Sequence, residues 1–171
     1  MPRTNSTNKA KGAMTMNDES SSIDESRLFI PALAGVYRAL GPMAYAFVRV
    51  VMGLVLVPSG YDKVFQGGVN RIAAGNVAKL GLDNPLAWAW AVGGLEFFGA
   101  ILLALGLFTR PIAFAMTVMM AVITFGVQFN AGFFWSSRGY EVALVWTAVL
   151  LAFALSGGGR YSLDHKLGRE F

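Results

Sequence analysis

Four apolar runs dominate the chain, at residues 42–62, 85–107, 112–129 and 140–156, with polar or glycine- and proline-marked connections between them. A helix needs about 20 predominantly apolar residues to cross roughly 30 Å of hydrocarbon. Each run is therefore predicted to span, with Pro42 placed at the start of the first. The connection through Thr109, Arg110 and Pro111 is so short that the third run must return beside the second. The expected fold is all-α: a polytopic membrane protein built as an antiparallel four-transmembrane-helix bundle. Residues 1–27 are rich in Ser, Thr, Asn and charged side chains and are expected to be a disordered cytoplasmic tail. No apolar core follows a short basic N terminus, so no cleavable signal is expected. Residues 28–41 are apolar but short and carry Pro31, which predicts an interfacial lead-in; residues 42–159 make the membrane domain and 160–171 a cytoplasmic tail.

One connection has its own periodicity. Between residues 64 and 82, Val69, Ile72, Ala73, Val77 and Leu80 recur at helical spacing among Asn70, Arg71, Asn76 and Lys79. This is an amphipathic helix too polar to span. It lies along the membrane surface or packs as an ordinary connecting helix, and the pattern allows both. On the first and last helices, glycines and breakers set the limits: Gly53 and Gly60 share a face and permit close helix approach, and Gly157–Gly159 end the fourth run.

The second run carries Glu96 near its middle. An ionisable group at that depth costs on the order of 2.5 kcal/mol or more if it faces lipid, so Glu96 is expected to face the protein and be protonated, paired or solvated there. Arg49, about two turns into the first helix, is its expected partner, since a long guanidinium side chain covers much of the difference in depth. Such a pair either fixes helix register or forms a proton or ligand site. Lys63 and Glu141 fall at the outer ends of their helices. They are snorkelling charges or flank the mouth of a pocket leading toward Glu96, with Gln128, Asn130 and Tyr140 at the same level.

Composition narrows the chemistry. The chain has 171 residues, 55% hydrophobic and only 14% charged, with net charge +4. Its basic residues are scattered over connections and tails, with no basic helix, so nucleic acid is not an expected partner. There are no cysteines and one histidine, which removes thiol chemistry and iron–sulfur clusters. Asp164 with His165 makes a poor metal site, and no metal is expected. Lysine and arginine counts near the helix ends set orientation: Arg27, Arg38, Arg49, Arg110, Arg160, Lys166 and Arg169 lie on one side, against Lys63, Arg71, Lys79 and Arg138 on the other. Both termini are then cytoplasmic, and Trp88, Trp90 and Trp135 sit near the outer interface.

Several motifs occur in a fixed order: Gly60-Tyr61-Asp62-Lys63, Gly94-Leu95-Glu96, Asn130 to Phe134, Gly139-Tyr140-Glu141, and Gly159-Arg160-Tyr161-Ser162-Leu163-Asp164. Taken together they resemble the DoxX family of four-helix membrane proteins. The chain departs from the family at Gln128, where many members carry a histidine, and at Ala131, which intervenes between Asn130 and Gly132. The resemblance implies a place in the cell inner membrane and a link to oxidoreductase systems, including thiosulfate:quinone and other quinone-related functions. On that basis the expected function is a membrane subunit or accessory of a quinone-linked oxidoreductase. It would have no redox centre of its own, with the lipid bilayer, a redox partner protein and a second copy of the chain as candidate partners. Glu96 and Arg49 are the expected catalytic pair and Lys63, Glu141, Gln128 and Tyr140 the expected ligand contacts. A non-enzymatic membrane partner or assembly factor, and more remotely a small-molecule transporter, are the other readings.

Overall fold

The computed structural model describes residues 29–168, so the N-terminal tail 1–27 and residues 169–171 lie outside the described residues. These divide into two units, one up to Pro42 and one from Met43. Among them every regular element is a helix. A 3-10 turn at Pro31–Leu33 leads into α1, Ala34–Phe65. The helix thus starts upstream of Pro42, where the sequence pattern set its beginning. The stretch ahead of Pro42 is rich in Ala and Leu, and in apolar surroundings a proline is tolerated inside a helix when neighbouring groups meet the freed carbonyls.

The second helix, α2, covers 68–80 and changes pitch twice, from α at Gly68–Ile72 through a π turn at Ala73–Val77 to a 3-10 turn at Ala78–Leu80. Helix α3, Pro85–Leu105, opens on Pro85 with Asn84 accepting from the amide of Ala87, and carries a π turn at Leu95–Gly99. Gly106, at φ 70°, ends it in the left-handed conformation that favours glycine. Helix α4 is Thr109–Ala131, with a π turn at Ile123–Gln128. Helix α5 is Glu141–Ser156, and a four-residue helix α6, Leu163–Lys166, closes the described chain.

Helices α1, α3 and α4 are long and apolar enough to cross a membrane. Helix α5 is equally apolar but has 16 residues, about 24 Å at 1.5 Å per residue, so it falls short of a full span by itself. Ala100, Leu103, Ala113, Met116 and Leu150 are completely buried, and Leu56 and Phe153 complete a core drawn from all four helices. Helix α4 packs along α5, and Thr124 meets Thr147 across that contact. Outward lie Phe47, Leu54, Phe98, Phe114, Val145 and Leu155, each more than half exposed. That inversion of the usual surface is what lipid-facing helices require.

The approach of α1 to α3 decides the geometry of the site. A Cβ on Gly53 would come within 2.6 Å of the carbonyl of Ala100, and one on Gly60 would meet the backbone of Glu96 and Phe97. The expected close contact through Gly53 and Gly60 is therefore present. Farther along, Gly93 faces Lys63 and Val64. The apolar side of α2 is spent on the protein: Val69, Ala73 and Val77 bury against Ala89 of α3.

Candidate functional site

Glu96 projects from the π turn of α3 and is 4% exposed. Its Oε2 accepts from the ammonium of Lys63 and, at 3.0 Å, from the hydroxyl of Ser59. Lys63 also donates to Ser59 Oγ at 2.6 Å. Ser59 and Lys63 are four residues apart and share a face of α1. The contact of Gly60 with the backbone of Glu96 brings that face against the carboxylate.

Arg49 does not take part. It lies eleven positions before Gly60, roughly 16 Å back along the helix, and meets the other end of α3. Its guanidinium donates to the carbonyls of Leu103 (2.5 Å) and Ala104 (2.8 Å) and to that of Tyr161 (2.8 Å). The expected Arg49–Glu96 pair is thus corrected to Lys63–Glu96. Helix register, not side-chain reach, makes the choice. Arg49 is 1% exposed and binds carbonyls at the end of α3, sharing that of Leu103 with the amide of Gly106.

Next to it, buried Asp164 performs the complementary task. Its two carboxylate oxygens accept from the amides of Phe108 (2.8 Å) and Thr109 (2.9 Å) at the start of α4, and its own amide donates to the carbonyl of Gly106. The segment after Gly157 therefore ties together the end of α3 and the beginning of α4. A carboxylate at a helix N terminus meets orphan amides and the positive end of the dipole. This arrangement gives Asp164 a structural task.

A cavity of about 590 Å³ opens beside Glu96. Ser59, Glu96 and Gln128 supply polar groups, Leu56, Met120 and Ile123 apolar ones, and Trp135 and Trp146 aromatic faces. Every π turn in the described chain contributes to this wall: Asn76 from α2, Glu96 from α3, and Ile123, Val127 and Gln128 from α4. A π turn inserts one residue into a helical repeat, widens it and turns its side chains, and such turns are frequent at functional sites. Three in one wall re-aim residues that straight helices would point elsewhere.

Other expected contacts divide. Gln128 lines the cavity and is half-buried. Tyr140 stacks on Phe129 at 5.2 Å and meets Phe133 edge-on at 5.6 Å, away from the cavity wall. Glu141 accepts from the amide of Trp135 at 3.1 Å and so anchors the loop that presents this indole to the cavity. Asn130 is exposed and does not line it. Residues not assigned to a site from sequence are Ser59, Asn76, Lys79, Arg138 and Trp146 in the wall, and Asp164, weighed only as a metal ligand, at the opposite end. For Ser59 a signal existed, its four-residue spacing from Lys63; for the others none did, because they come from separate elements.

Apolar helices around a carboxylate held by an ammonium, with their large side chains turned outward, define an α-helical membrane protein. The DoxX family profile matches residues 44–128, a stretch that contains Ser59, Lys63, Glu96, Gln128 and all three π turns. The chain belongs to the DoxX family. It is 35% identical over 132 residues to an uncharacterized protein of Haemophilus influenzae, covering 75% of this chain and 94% of the relative. The inner membrane protein YphA of Escherichia coli is 28% identical over 141 residues, 76% of this chain and 94% of that one. An uncharacterized membrane protein of Mycobacterium tuberculosis is 26% identical over 150 residues, 82% and 91% of the two chains. No solved structure matches the chain.

Proposed function

We propose that this DoxX protein is the membrane component of a quinone-linked oxidoreductase system, and that the cavity beside Glu96 holds the quinone head group. The observation that carries the proposal is the buried carboxylate of Glu96, held by Lys63 and Ser59 and opening onto a cavity of about 590 Å³, within the 300–1,000 Å³ range of small-molecule sites. A quinone supplies a flat apolar ring with two carbonyl acceptors and takes up two electrons and two protons on reduction. The chain's residues fit such a group: Trp135 and Trp146 offer ring faces, Gln128 and Ser59 offer donors, and Met120 and Ile123 exclude water. Glu96 is the proton-handling group, and Lys63 and Ser59 hold its carboxylate in place. Arg49 acts at a distance, as a positioning residue that fixes the far end of α3.

In this reading α1, α3, α4 and α5 run antiparallel across the inner membrane, the membrane that YphA's name gives for that protein, with both termini cytoplasmic. The contacts along α1 support that arrangement: Arg49, Gly53, Gly60 and Lys63 meet Ala104, Ala100, Glu96 and Gly93 in turn. With no cysteine and a single histidine in the chain, electrons come from a partner protein. The test is purification in mild detergent followed by mass spectrometry of retained small molecules and proteins. Quinone should be retained by the wild type and lost on Glu96→Gln. Equal quinone in both proteins, or none in either, overturns the proposal, and a stable protein partner without quinone would favour an assembly role.

A further inference from the structure

The mouth of the cavity carries charge that the Glu96 cluster does not use. Lys79 of α2 and Arg138 of the loop between α4 and α5 both line it, and both are exposed. Glu96 is the carboxylate in the wall, and it is taken by Lys63. Elsewhere Asp62 pairs with Arg71, and Asp164 and Glu141 accept from backbone amides. Among the described residues neither Lys79 nor Arg138 has an acidic partner, so the mouth holds two positive charges in excess.

Two further features bear on what those charges meet. The loop that carries Arg138 also exposes Phe133, Phe134 and Trp135, at 47%, 67% and 69%, the side chains that settle at lipid headgroup level. Arg138 itself sits at φ 62°, a conformation costly for a residue with a Cβ; hydrogen bonds from its amide to Trp135 and from Gly139 to Phe134 hold it there. The same wall carries apolar side chains, the exposed Val142 and the buried Leu56 among them.

We propose that Lys79 and Arg138 form a subsite for a phosphate-bearing ligand, the head of an anionic phospholipid with one acyl chain entering the apolar part of the cavity. The proposal rests on the cavity but not on what binds at Glu96. Shape and charge favour an amphiphile: cations at the rim, aromatic side chains at headgroup level, apolar wall beyond. Free phosphate shares the recognised group, and the test separates the two sources.

The chain's tryptophans supply the readout, since two of its four line the cavity. Full-length protein in neutral detergent is titrated with brominated phosphatidylglycerol or brominated phosphatidylcholine, and indole quenching is followed. Phosphatidylglycerol should bind roughly thirtyfold more tightly, about fivefold for each cation, and the preference should fall as sodium chloride is raised. The double variant Lys79→Gln/Arg138→Gln should bind both lipids alike. The charge-keeping variant Lys79→Arg/Arg138→Lys should keep the preference, and the salt series on wild type reads the same charges if a variant fails to fold. Inorganic phosphate that displaces the lipid at millimolar concentration identifies phosphate itself as the recognised group; failure to displace it assigns recognition to the whole lipid. Equal binding of the two lipids by the wild type, or a preference that survives in the double variant, overturns the proposal. Quenching that persists where no quinone is retained would overturn only the quinone reading.

Discussion

Lys63 and Glu96 test each other. Removing one member of a buried pair leaves the other charge without compensation, at a cost of about 3–5 kcal/mol, whereas replacing both by apolar residues is often close to neutral. With side-chain exposures of 15% and 5% the two groups belong to that regime. Lys63→Met should therefore lower the thermal unfolding midpoint in detergent clearly, and Lys63→Met combined with Glu96→Leu should recover most of the loss. A double variant as unstable as the single one would show that the contact contributes nothing as a pair. Asp164 makes a second, independent residue-scale case. Asp164→Ala removes the carboxylate that the amides of Phe108 and Thr109 donate to, and a loss of about 1–3 kcal/mol for the buried Thr109 amide should appear in the same melting experiment. Arg49→Leu, which strands carbonyls of α3 at the same junction, should add less than its separate cost when combined with Asp164→Ala, because both act on one joint.

Between elements the glycines of α1 carry the prediction. A valine at position 60 would drive its Cβ into the backbone of Glu96 and Phe97, neither of which can yield. Overpacking of that kind costs about 1–3 kcal/mol, and here it must also part Lys63 from Glu96. Gly60→Val should lose both stability and any ligand that needs Glu96. Gly94→Ala, on α3 with open space around its Cβ position, should be neutral or raise the melting temperature by replacing a poor helix former with the best one. The same contact explains what could be read from the chain and what could not. Apolar run length announced the spanning helices, and the seven-residue spacing of Gly53 and Gly60 announced a tight interface. The depth of Glu96 announced an inward-facing carboxylate. Its partner was hidden, because choosing Lys63 over Arg49 needs the register of α1 against α3, and a seven-residue glycine pair is compatible with more than one register. The π turns were equally hidden: one inserted residue leaves hydrophobic periodicity almost unchanged, yet it decides that Asn76, Glu96 and Gln128 converge. The task of Asp164 was hidden too, because local sequence cannot show that it caps a helix 55 positions away.

Across the whole molecule the charges divide between two ends. The turn between α3 and α4 and the segment after Gly157 are joined by Asp164, which gathers Arg110, Arg160 and Lys166 at one end. Lys79 and Arg138 lie at the mouth of the cavity, around the other end of α4. Lys63 and Arg71 belong to that second end too, but the sequence assigns seven lysines and arginines to the first side against four to the second; such residues accumulate on the cytoplasmic side of membrane proteins, so the first end should face the cytoplasm and the cavity should open outward. The chain has no cysteine, and single-cysteine variants report this without background. Ser137→Cys, in the loop beside Arg138, should react with a membrane-impermeant maleimide on intact cells or spheroplasts. Leu167→Cys, 63% exposed after α6, should react only once the membrane is opened. The reverse pattern would turn the cavity toward the cytoplasm, and with it the leaflet from which a phospholipid or a quinone enters.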